Sequence, residues 1–186
     1  MTTSPQTVVQ KYKTTARWVE RKEEIEDFAQ DVVDEAFEAS LVFPLELHDI
    51  ARFHGVLLKE LTPKLLQDIS KIYKKDSDDI EGCLLKTPEK AIYVNVQGRS
   101  FQRQRFTAAH ELGHLLLKHE EHEEVLFRSA LPAAEQPWYE AEANHFAACL
   151  LIPKSELRTT KHWTMESKKT YFFVSEVTLR IREKGL

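Results

Sequence analysis

Glycine is scarce in this 186-residue chain, at 5 positions, which argues against a many-turned β sandwich. Glu, Lys, Leu and Ala are plentiful instead, and they favour a helix-rich fold. No run of about 18 apolar residues occurs, so a transmembrane helix is excluded. Residues 1–10 lack a basic stretch followed by an apolar one and do not read as a signal peptide. An excess of positive charge is also missing. Lys plus Arg is 26 against 30 Asp plus Glu, a net charge of −4, so the chain as a whole is no polyanion binder. Neither nucleic acid nor membrane is an expected partner. Only Cys83 and Cys149 are present, in unlike contexts, and they read as two buried free thiols rather than a disulfide. That reading points to the cytoplasm. The length suits one domain with at most an appendage.

Apolar spacing gives the outline. Trp18, Ile25, Phe28, Val32 and Ala36 recur at helical intervals, predicting one amphipathic helix over residues 16–40 behind a frayed polar tail, 2–15. Pro44 opens a second helix, closed by Gly55. Residues 56–61 read as a strand, and Thr62-Pro63 starts a third helix through Tyr73. Two short apolar runs, 80–86 and 91–96, flank a turn of about four residues at 87–90 and predict a hairpin. Arg99, Arg103 and Arg105 then read as a solvated face or salt bridges rather than a phosphate site. Near the end, Ser175 caps a packing helix carrying Val177, Leu179 and Ile181.

Chemistry concentrates in Phe106-Thr107-Ala108-Ala109-His110-Glu111-Leu112-Gly113-His114. His110 and His114 lie four apart, so one helix face carries both rings. Two imidazoles there can grip one metal ion. Glu111, rotated about 100° from His110, stays out of the metal's ligand set yet near a water that a general base would serve. With 8 histidines in the chain, chance gives roughly 0.04 such patterns. A third ligand is available in the helix 138–151. Glu140 and Asn144 share a face, so Glu140 can ligate while Asn144 accepts a hydrogen bond from a ligand histidine. Glu142 and His145 lie on other faces and are lesser ligand candidates, with Glu142 reading more simply as a solvent-facing charge. Two His and one Glu leave a fourth position open, the mark of a catalytic zinc site. The run from His119 to Glu124 reads as a solvated loop.

The run Arg105-Phe106-Thr107-x-Ala109-His110-Glu111-Leu112-Gly113-His114, joined 26 residues after His114 by Glu140-x-Glu142-Ala143-Asn144-x-Phe146-Ala147-Ala148-x-Leu150-Leu151-x-Pro153, resembles the ImmA/IrrE metallopeptidase family. Weaker likeness extends over Pro44 to Gly55, over the hairpin, and over Phe173-Val174-Ser175 to Gly185-Leu186. Ile152 stands where members commonly carry Met, and it is apolar either way. The resemblance implies a metallopeptidase domain over 44–186, with 1–43 as an N-terminal tail and amphipathic helix. It implies a compact α+β, zincin-like fold with a small mixed sheet over the His-Glu-x-x-His helix. It further implies His110, His114 and Glu140 as zinc ligands, Glu111 as the catalytic acid/base, and a helix-turn-helix (XRE-type) repressor as protein substrate. Cleavage of such a repressor induces stress-response or mobile-element genes.

The expected activity is therefore a zinc endopeptidase, with manganese as a substitute metal. Tyr139, His145 and Arg105 are candidate donors to the oxyanion. The strand 91–96 is expected to offer an edge on which substrate pairs. Two other readings stand beside this one. They are a non-catalytic repressor-binding module with structural zinc, and a zinc amidohydrolase on a small substrate.

Overall fold

The computed structural model describes residues 16–37, 41–85, 90–119 and 136–183. The frayed tail 2–15, the turn at 87–89, the charged run 120–124 and the closing Gly185-Leu186 lie outside them. In chain order the elements are α1 (Ala16–Phe37), α2 (Leu47–Phe53), β1 (Leu57–Glu60), α3 (Pro63–Tyr73), β2 (Gly82–Leu85), β3 (Ala91–Val94) and α4 (Phe101–Leu116). They continue with α5 (Gln136–Leu151), α6 (Lys154–Thr159), α7 (Met165–Phe172) and α8 (Glu176–Glu183). This is the helix-rich α+β architecture, with a three-stranded mixed sheet.

Local signals set most boundaries. Gly55, at φ 70°, ends α2 where a side chain would be strained. Thr62 Oγ1 accepts the Leu65 N–H at 3.3 Å, and Pro63 opens α3 without losing an internal hydrogen bond. Ser100 caps α4 through the Arg103 N–H, and Ser175 caps α8 through the Thr178 N–H.

Strand order is β1-β3-β2. β3 pairs antiparallel with β2, with Cys83 opposite Tyr93 and Leu84 opposite Ile92. On its other side it pairs parallel with β1, Leu58 opposite Ile92. The expectation that 91–96 offers a substrate edge is thus corrected. The hairpin occupies one side of β3, and the crossover through α3 delivers β1 to the other. The free edges among the described strands belong to β1 and β2.

Leu84, Ile92 and Val94 face a core shared with Ala108, Leu112 and Leu115 of α4 and Phe146, Ala147 and Leu150 of α5. Cys83 faces the opposite side, where Leu61, Leu66, Ile69 and Ile80 form a second cluster under α3. Burial pushes the Cys83 and Cys149 thiols up to about 12, so both are inert, free thiols.

Outside this, α1 lays Ile25, Ala29, Val32 and Val33 against the core. Its Glu26 carboxylate is buried, accepts from Lys154 Nζ at 2.9 Å and pairs with the Arg182 guanidinium, tying α1 to α6 and α8. On α8 the expected apolar stripe is wrong in detail. Positions 177 and 181 share a face and are 67% and 60% exposed, while Leu179 lies opposite, buried beside Arg182. A two-residue interval alternates on a strand, not on a helix. The basic stretch does form salt bridges: Arg103 Nε donates to Glu81 at 2.9 Å and Arg99 lies 3.5 Å from the same carboxylate.

His145 fills the seam between α1 and α5. Its Nε2–H donates to the Lys22 carbonyl at 3.2 Å, and Trp18 stands edge-on at 6.2 Å. Burial lowers its pKa from 6.5 to about 4, against the smaller opposing pull of that hydrogen bond. The unfolded chain therefore binds a proton that the folded chain refuses. The stabilisation is complete above pH 6.5 and is lost as pH falls toward 4, by on the order of 3 kcal/mol. In thermal melts with a chelator present, wild type should lose more between pH 7.5 and 4.5 than His145→Phe. Equal losses would mean that the ring is not held neutral by this seam.

Candidate metal centre

The site is built where α4 and α5 pack with almost no side chain between them. A Cβ on Gly113 would lie 3.2 Å from the Ala143 carbonyl oxygen and 3.0 Å from Phe146 Cδ1. Any larger residue would press on these atoms and push the helices apart by a few tenths of an ångström or more. The approach brings the paired histidines of α4 to the paired polar residues of α5.

His110 is buried, and its Nδ1–H donates to Asn144 Oδ1 at 3.0 Å. That fixes its lone pair on Nε2, the role the i, i+4 spacing of Glu140 and Asn144 suggests. His110 Nε2 and His114 Nε2 face each other at 3.0 Å. Glu140 closes the triangle at 3.5 Å from His110 Nε2 and 3.4 Å from His114 Nε2. A tetrahedral ion with bonds of about 2.0–2.1 Å separates its ligand atoms by about 3.3–3.4 Å. His110 turns the lone pair on Nε2 toward His114 Nε2, and a cation between the rings would take a lone pair from each. The donor set fits a metal ion, and His110, His114 and Glu140 are the one such group among the described residues.

Glu111 is buried at 4% exposure, one position round the helix from His110. It lies under the start of β2: a Cβ on Gly82 would fall 2.7 Å from Thr107 Cγ2 and 3.3 Å from Glu111 Cγ. Backbone at Gly82 thus comes close to the carboxylate because no side chain intervenes.

Other expected residues go elsewhere. Glu142 is no ligand and no solvent-facing charge: it is buried, with Arg21 Nε donating to Oε1 at 3.0 Å and Arg21 Nη2 to Oε2 at 2.9 Å. His119 Nε2 also donates to Oε2, at 3.1 Å. Burial opposes the Glu142 charge, but these hydrogen bonds outweigh it and hold its carboxyl below the ordinary range. His119 itself is buried, not part of a solvated loop, and desolvation keeps its pKa low against the pull of Glu142. His145 points to α1, and Arg105 Nη2 donates to the Leu45 carbonyl at 3.0 Å beside Phe173. Tyr139 packs on the His119 ring, 4.7 Å between centroids. Periodicity missed His119 and Arg21. A third histidine five residues past His114 was the available signal for the first; nothing local marks the second.

The family model of the IrrE N-terminal-like domain, Peptidase_M78, matches residues 67–184. The match begins inside α3 and leaves α1, α2 and β1 outside it. No curated protein matches the chain.

Overpacking at Gly113 tests the helix contact on which this geometry rests. Gly113→Val should destabilise the fold by about 1–3 kcal/mol and weaken metal binding, read by thermal melting and by competition with a chromogenic chelator. Unchanged stability would show that α4 and α5 have room to spare.

Proposed function

The chain belongs to the IrrE N-terminal-like domain family of peptidases, and on that premise we propose that it is a zinc-dependent endopeptidase. Its proposed substrate is a helix-turn-helix transcriptional repressor, met in the cytoplasm, whose cleavage induces the genes it silences. The observation that carries the reading is the convergence of His110, His114 and Glu140 with Glu111 buried beside them on the same helix. Two imidazoles and one carboxylate suit zinc, tolerate manganese, and leave a position open to water or substrate. A bound zinc ion supplies water of lowered pKa and polarises a carbonyl oxygen.

The remaining work falls to this chain's own groups. Glu111 takes the proton of the attacking water on its carboxylate and delivers it to the departing amine nitrogen. Asn144 holds His110 in the tautomer that keeps Nε2 free for coordination. The outer edge of β2, beginning at Gly82 above Glu111, is where an extended substrate segment would pair, in place of the edge first assigned to β3. A structural metal site needs no carboxylate in the position of Glu111. That residue favours the peptidase over a repressor-binding module.

The test pairs the full chain with the helix-turn-helix repressor encoded nearest to it and follows intact masses after zinc is added. Wild type should yield two fragments, a chelator should stop the reaction, and zinc should restore it. Glu111→Gln should keep its zinc and cleave at least about 10²-fold more slowly. An intact repressor held in a stable complex by both metal-loaded proteins would replace the peptidase with a binding module. Cleavage of small amides alone would replace it with an amidohydrolase.

A further inference from the structure

His114 has a second neighbour besides the ligand triangle. After α4 the chain passes through Lys118 at φ 59°, in the left-handed region, and that turn returns His119 against the helix it has just left. His119 is 5% exposed, and its Nδ1 lies 3.0 Å from His114 Nδ1. Its Nε2 lies 3.1 Å from Glu142 Oε2, and Glu142 is gripped on both oxygens by Arg21 of α1.

With a cation held in the ligand triangle, His114 Nε2 keeps its lone pair for it and these contacts take one arrangement of protons. A carboxylate that receives an arginine fork only accepts, so His119 Nε2 carries a proton toward it. Neutral His119 then presents a lone pair at Nδ1. The group facing that lone pair is His114 Nδ1, which must carry its proton there to make a hydrogen bond. His114 is left with its lone pair on Nε2, the atom that faces His110 Nε2 and Glu140. Asn144 performs the same office for His110. Each metal-facing imidazole therefore has its own acceptor, one an amide and the other an imidazole backed by a carboxylate and a guanidinium.

We propose that His119 is a positioning residue that fixes the tautomer and ring angle of His114, with Glu142 and Arg21 holding it in place. Helix α1 then takes part in the metal centre although it precedes the family-matched region. A chain of three buried or half-buried polar groups running from α1 to a metal-facing ring is costly to desolvate. Orientation of the ring at its end is the function that accounts for it, since the partners of ligand histidines typically change metal affinity 10–100-fold. The inference rests on the reading of His110, His114 and Glu140 as ligands.

The experiment uses the full chain and measures zinc affinity by chelator competition, with melting of the metal-free protein alongside. His119→Phe keeps a ring but removes both nitrogens; His119→Gln keeps one acceptor and one donor. His119→Phe should bind zinc about 10–100-fold more weakly, with His119→Gln recovering most of the loss. Arg21→Gln should weaken binding about tenfold, at the low end of the same range, and serves as the test if His119→Phe does not fold. Long-range 1H–15N spectra of the zinc-loaded protein should show the His114 proton on Nδ1 in wild type and a disturbed ring signal in His119→Phe. Wild-type affinity in all three variants overturns the proposal. Weakening in the His119 variants with none in Arg21→Gln removes α1 from it. Absence of zinc binding by wild type would instead refute the ligand set itself, a separate failure.

Discussion

Everything at this centre depends on how closely α4 and α5 approach at Gly113. With the Ala143 carbonyl oxygen 3.2 Å from where a Cβ would stand, the two backbones pack closely with no side chain of residue 113 between them. Leu112, Leu115, Phe146 and Leu150 surround that contact and remove it from water. Because side chains on a helix recur every 3.6 residues, one close contact sets the register of everything a turn away on either side. His110 falls to Asn144, and Glu140 falls between the two imidazoles. The apolar packing supplies the stability, and the polar site inherits its geometry from that packing.

Around this pair, carboxylates stitch the outer elements on, two of them buried and the third half-buried. Glu26 joins α1 to α6 and α8, Glu142 joins α1 to α5 and His119, and Glu81 draws Arg99 and Arg103 of the α4 entrance to the strand side. Ion pairs of this kind add little net stability once desolvation is counted, but removing one partner of a buried pair is costly. Their effect is positional. They permit one seating of α1 on α5 where an apolar seam alone would tolerate several.

Much of this was legible because it is decided within a few residues. A threonine cap followed by proline announces α3, a serine cap announces α8, and the four-residue spacings of His110 with His114 and Glu140 with Asn144 name the facing pairs. What was not legible depends on distant parts of the chain. Strand order follows from which side of β3 the hairpin leaves open, and no residue in 91–96 records that. His119 lies just past the end of α4, where helical periodicity no longer says which way a side chain turns; a left-handed Lys118 decides it. Arg21 stands 121 residues from the carboxylate it grips. On α8, the spacing of Val177, Leu179 and Ile181 suits a strand face, so apolar character alone was a poor guide to which of them is buried.

Three glutamates of α4 and α5 show how far environment outweighs residue type. Glu140 and Glu142 are two positions apart and so about 200° apart around one helix. The first meets two imidazole nitrogens, an arrangement that calls for a shared cation. The second meets a guanidinium and an imidazole N–H, an arrangement already neutralised without one. Glu111, across the interface, meets the backbone side of β2 at a glycine, where a substrate strand would run. A carboxylate whose charge is already matched by arginine has little left to offer a metal, and one beneath an open strand edge is poorly placed to be a ligand but well placed to exchange protons. The division of labour therefore follows from which cation each carboxylate meets first, and that is fixed by the packing of α1, α4, α5 and β2.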